Sequence, residues 1–83
     1  MIKVKLFANL RELAGASEFD LEASSIANVR ELIDELIKQT SSELGAELAD
    51  ETAMVSINKK YAGWEASVKD GDEVGILPPV SGG

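Results

Sequence analysis

Ser17-Glu18-Phe19-Asp20-Leu21-Glu22-Ala23 runs straight into Ser24-Ser25-Ile26-Ala27-Asn28-Val29-Arg30-Glu31-Leu32-Ile33-Asp34-Glu35-Leu36-Ile37, and the hydrophobic period changes inside that stretch. In its first part Phe19, Leu21 and Ala23 alternate with Glu18, Asp20 and Glu22, the period of a strand with one wet face. In its second part Ile26, Val29, Leu32, Ile33, Leu36 and Ile37 recur at helical spacing and build one apolar stripe. Asn28, with Glu31 three residues on, has the N-cap and N3 pattern of a capping box, so the helix is expected to start there. Arg30/Asp34 and Asp34/Lys38 are opposite charges four apart, expected to pair on its wet face. A one-faced strand and a one-striped helix bury their apolar surfaces against each other, which makes the fold class α+β.

The same patterns extend in both directions. Ile2 to Phe7 alternates, with Ile2, Val4 and Leu6 against Lys3 and Lys5. A helical turn from Leu10 to Ala14, closed by Gly15, is a compact connection, so this strand and the strand Ser17 to Ala23 read as a hairpin-like pair. Beyond the helix, Thr40-Ser41-Ser42 is a break. The acidic stretch Glu43 to Glu51 reads as a short helical turn or loop with a wet surface. Ala53 to Asn58 is a strand with Val55 and Ile57 on one face, Asn58-Lys59-Lys60 a turn, and Tyr61 to Trp64 a short edge strand. Asp70-Gly71-Asp72 is a second turn. Glu73 to Leu77 forms the last strand, with Val74 and Ile76 inward, and Pro78-Pro79 stops it because neither proline donates to a ladder. The expected result is one mixed sheet packed on one main helix, a single domain over 1–83 with a protruding C-terminal tail, 78–83.

The 83 residues contain no cysteine and no histidine, and carry a net charge of −7. Thiol nucleophiles, disulfides, redox pairs and Cys/His zinc sites are thereby excluded, as is the commonest general acid/base. The acidic balance argues against nucleic acid and anionic membranes and favours a partner with a basic surface. Val74 to Gly83 is too short and too rich in proline and glycine to span a bilayer. The alternating N-terminus lacks the apolar run of a signal peptide, so a cytoplasmic location is expected.

Few motifs carry chemistry. Asp70-Gly71-Asp72-Glu73 lacks the ligand spacing of a calcium loop and reads as a solvated turn, so no metal site is expected. Gly71 and Gly75 make no phosphate-binding loop, and adjacent Lys59 and Lys60 read as solubilising charges. Strand parity places Phe7 with Lys3 and Lys5, and Leu77 opposite to Val74 and Ile76. Phe7, Leu77 and Tyr61 would then form one exposed apolar patch, and such patches mark interaction sites. A bulge in either strand would instead turn Phe7 or Leu77 inward. Trp64 reads as packing. The tail Pro78-Pro79-Val80-Ser81-Gly82-Gly83 follows a strand through a rigid Pro-Pro and ends in two residues without side chains. Such an end fits a narrow channel and delivers only its terminal carboxylate, which is a poor electrophile until activated, for instance as an acyl-adenylate.

Three segments carry a family resemblance: Phe7-Ala8-Asn9-Leu10-Arg11-Glu12-Leu13-Ala14-Gly15, Asp70-Gly71-Asp72-Glu73-Val74 and Pro78-Pro79-Val80-Ser81-Gly82-Gly83. On them the chain resembles the small, sulfur-carrying subunits of molybdopterin synthase, members of the ubiquitin-like β-grasp group. The resemblance implies that an adenylyltransferase of the ubiquitin-activating type adenylates Gly83 with ATP, and that a sulfurtransferase converts it to a thiocarboxylate. The tail would insert into the large catalytic subunit, usually in a heterotetramer, and donate sulfur to cyclic pyranopterin monophosphate to build the molybdopterin dithiolene. Phe7, Tyr61 and Leu77 match the family's partner surface. The chain would bind no cofactor itself and would not be an enzyme alone. A thiamin-type carrier or a ubiquitin-like protein modifier would share the Gly-Gly end.

Overall fold

Alternation in the first segment becomes a strand, β1 (Ile2–Leu6), with Ile2, Val4 and Leu6 buried. The structure, a computed structural model, describes residues 1–79. Helix α1 (Asn9–Ala14) follows a backbone reversal at Ala8 and ends at Gly15, whose N–H bonds the Arg11 carbonyl. Strand β2 (Glu18–Leu21) then runs antiparallel to β1, with Ile2 opposite Leu21 and Val4 opposite Phe19. It is shorter than the expected Ser17 to Ala23, because Ala23–Ser25 winds into a 3-10 turn that aims the chain at the next helix.

Helix α2 (Val29–Gln39) buries Val29, Leu32, Ile33 and Leu36, the stripe read from the sequence. Asn28 caps it, its side chain accepting from the Glu31 N–H at 2.9 Å. Glu31 reaches back one residue further than a standard capping box, accepting from the Ala27 N–H at 2.8 Å. The first free amides of the helix are satisfied from a distant loop: Val29 N–H donates to the Ala66 carbonyl and Arg30 N–H to that of Trp64. The expected i,i+4 ion pairs of α2 do not form. Arg30 turns instead to Glu51 and Glu65, 2.5 and 2.6 Å away, because those carboxylates arrive from two loops packed beside the helix start.

The acidic segment departs most from expectation. Of the short helical turn and the loop expected there, the helical one forms, but it is longer and not wholly wet: helix α3 (Ser42–Leu48) has Leu44 and Leu48 fully buried. Ser41 caps it by accepting from the Leu44 N–H and ties it to α1 by donating to the Leu13 carbonyl. Gly45 lets it close on α2, since a Cβ there would stand 3.1 Å from Ile37 Cγ2. Strands β3 (Met54–Ile57), β4 (Lys60–Ala62) and β5 (Glu73–Leu77) complete a five-stranded sheet in the order β2-β1-β5-β3-β4. Lys60 belongs to the strand, not the turn, because Asn58 and Lys59 alone make the reversal with φ of 51° and 72°. β1 and β5 are parallel and the other pairs antiparallel. The buried side chains of the helices and of one sheet face form a common core, leaving the other face open.

Candidate functional site

The open face is set by strand parity. Lys5, Gly75, Ser56 and Tyr61 lie in one row across β1, β5, β3 and β4, and Leu77 and Met54 pair in the next. Phe7 extends β1 toward that second row, its N–H bonding the Ile76 carbonyl at 3.3 Å. Gly75 leaves a flat seat beside it: a Cβ there would lie 3.5 Å from Phe7 Cε2 and 2.7 Å from Ser56 Oγ. No bulge intervenes, so Phe7 stays 42% exposed, Tyr61 is 74% exposed, and Leu77 and Met54 are half-buried. Phe7, Tyr61 and Leu77 therefore share one face, Phe7 and Leu77 by unbroken strand parity and Tyr61 by its register opposite Ser56. Met54 joins them and was missed, although its even number places it with Ser56. Lys5 and Glu73 pair at 3.5 Å, and Lys3 and Glu18 at 3.7 Å, beside the apolar patch.

The C-terminal segment leaves from the middle of this sheet. β5 lies between β1 and β3, so Pro78 and Pro79 emerge at the end of the sheet that carries Phe7, Leu77 and Met54. Pro78 is half-buried and Pro79 exposed. Val80, Ser81, Gly82 and Gly83, expected to carry the tail's chemistry, lie outside the described residues.

At the opposite end of β5, Asp72 is not the solvated turn residue expected. It is 6% exposed, and its carboxylate accepts from Asn58 Nδ2 at 3.0 Å and from the Lys69 N–H at 2.9 Å. The Asn58 bond first, and the Lys69 amide second, hold its pKa below the usual carboxylate range. Asn58 also bonds both backbone groups of Glu73, so the β3–β4 hairpin and the start of β5 are locked together. These carboxylate oxygens hold the loop in place, and no cluster of potential metal ligands occurs among the described residues. Trp64 packs as expected, donating from Nε1 to the Ala53 carbonyl with Arg30 5.8 Å over its ring. No helix among the described residues is long and apolar enough to cross a membrane.

Residues 4–83 match the ThiS family over nearly the whole chain. The chain belongs to the ThiS family. Within it, the Arabidopsis thaliana molybdopterin synthase sulfur carrier subunit is 35% identical over 82 residues, covering 99% of this chain and 82% of the relative. Among solved structures, a Pyrococcus furiosus protein described as subunit 1 of a molybdopterin converting factor superposes with a TM-score of 0.80 at 38% identity, covering 95% of this chain and 97% of that one. The small archaeal modifier protein 1 of Methanosarcina acetivorans is 34% identical with a TM-score of 0.73, covering 99% and 95%. The mixed sheet with its helices on one face is thus the ubiquitin-like β-grasp of this family.

Proposed function

We propose that this ThiS-family chain is the sulfur-carrier small subunit of a molybdopterin synthase. The observation that carries the reading is the junction of β5 and the tail. The central strand β5 ends in Pro78-Pro79 beside the patch of exposed Phe7 and Tyr61 and half-buried Met54 and Leu77, and the sequence continues as Val80-Ser81-Gly82-Gly83. A large subunit that docks on the patch meets the tail at a defined entry point. The full-length likeness to the Arabidopsis thaliana carrier subunit supports the same reading.

The chemistry follows from the resemblance to the sulfur carriers. The reactive group is the Gly83 carboxylate, and the chain has neither cysteine nor histidine to compete with it. An activating enzyme uses ATP to join that carboxylate to AMP, releasing pyrophosphate. A sulfurtransferase then supplies sulfur, AMP departs, and Gly83 carries a thiocarboxylate. Gly82 and Gly83 present no side chain to a narrow channel, so the thiocarboxylate reaches cyclic pyranopterin monophosphate in the large subunit, which supplies the catalytic side chains. This chain is then a carrier that holds no cofactor, working in the cytoplasm. The likeness to the archaeal modifier favours a second reading, isopeptide attachment through Gly83 to lysines of other proteins.

Intact-mass spectrometry after incubation with an activating enzyme, ATP and a sulfur source tests the proposal. The carrier reading expects the mass gain of oxygen replaced by sulfur, absent when Gly82 and Gly83 are deleted. It further expects molybdopterin to form with the large subunit. Charged protein that yields no molybdopterin, while conjugates of higher mass appear in cells, would establish the modifier instead.

A further inference from the structure

We propose that the outer edge of β2 docks an extended, basic segment of a partner protein, which adds to the sheet as a further strand. The backbone hydrogen bonds show which groups are free. Even-numbered residues of β1 bond toward β2, as Leu6 N–H does to the Ser17 carbonyl, and odd-numbered ones toward β5, as Lys3 N–H does to the Asp72 carbonyl. Phe19 and Leu21 therefore make the ladder with Val4 and Ile2. Glu18 and Asp20 direct their N–H and C=O groups the other way, where the strand order places no neighbour among the described residues. Strand β4, at the other edge, offers only Tyr61 in this orientation, between the bonded pairs Val55–Ala62 and Ile57–Lys60. β2 is thus the longer template, without proline or bulge to blunt it.

Charge selects the occupant. Glu18, Asp20 and Glu22 are exposed along this edge, and Phe19 is half-buried on the helix side. Among the described residues Asp20 makes no ion pair, and Glu18 has only Lys3, 3.7 Å away. β1 already shows what complements this strand: Lys3 and Lys5 stand opposite Asp20 and Glu18, with apolar Ile2 and Val4 opposite Leu21 and Phe19. A segment alternating lysine with an apolar residue repeats that match on the free side, pairing its amides with Glu18 and Asp20. A second copy of this chain is a poorer occupant, because each copy carries a net charge of −7.

The test titrates the full-length, 15N-labelled protein with a doubly capped peptide having the sequence of residues 2–6. Amide shifts are expected at Glu18 and Asp20, with exchange there slowed by about tenfold. The variant Glu18→Lys/Asp20→Lys should lose about tenfold or more in affinity, with cross-strand contacts between β1 and β2 retained. A peptide with glutamates in place of the lysines should not bind. Shifts confined to β4 or the open face, equal binding of the acidic peptide, no binding, or a dimer formed through β2 would each overturn the proposal.

Discussion

Replacing Tyr61 by alanine removes a ring that is 74% exposed and lies at the edge of the sheet, so the fold has little to lose. A substitution at an edge strand changes stability by less than about 1 kcal/mol. In the proposed complex the same ring becomes buried. A tyrosine in an interface covers about 150–250 Å², and roughly 100 Å² of apolar area newly removed from water is worth about 2–3 kcal/mol. That corresponds to a rise in Kd of about 30- to 150-fold. Titration calorimetry with the purified large subunit of molybdopterin synthase measures the affinity, and a thermal melt of the free variant measures the fold. The expected result is a melting temperature within a few degrees of the parent and a large loss of affinity. Unchanged affinity with an intact fold would refute the assignment of this face to the partner. A collapse of the melting temperature would show that Tyr61 supports the sheet.

Two further predictions concern the parts that hold the site in place. Leu44→Ala, in the helix where a wet helical turn or loop was expected, empties a fully buried position and should cost about 3 kcal/mol, seen as a fall of about 12–24 °C in Tm, whereas Glu43→Ala should shift it little. Asp72, whose pKa is lowered in the fold, contributes stability above its unfolded value of about 3.9 and loses it as pH falls through the folded value. Urea midpoints measured downward from pH 6 should therefore fall less steeply in acid for Asp72→Asn than for the parent, and parallel curves would count against the Asn58–Asp72 lock.

The segments that read correctly are those whose local pattern and tertiary role agree. In β1, β3 and β5 a period of two places Val4, Val55, Val74 and Ile76 inward, and the same parity puts Phe7 and Leu77 on the other face. In α2 a wide apolar stripe and the Asn28 cap are local features, so they appear in the sequence as they do in the structure. α3 misled because seven residues supply only two buried leucines among exposed glutamates, and Gly45 lowers the intrinsic helix propensity. Its stability comes from packing on α2 at Gly45 and from the Ser41 link to α1, both of them contacts outside the segment itself, the second with a partner 28 residues away.

The sequence by itself determined the α+β class, the inward set of each long element, the outward parity of Phe7 and Leu77 in unbroken strands, and the absence of cysteine and histidine. Each depends on residue type and spacing, which need no distant partner. Only the tertiary structure decided that β5 lies centrally between β1 and β3, that Gly75 seats the Phe7 ring, that Arg30 joins Glu51 and Glu65, and that Asp72 is buried as a lock. Those outcomes depend on which distant segments become neighbours. A hydrophobic period records which face is buried, but not what covers it, because burial of apolar surface is non-directional. Direction comes from the hydrogen bonds and close approaches that form once the segments meet.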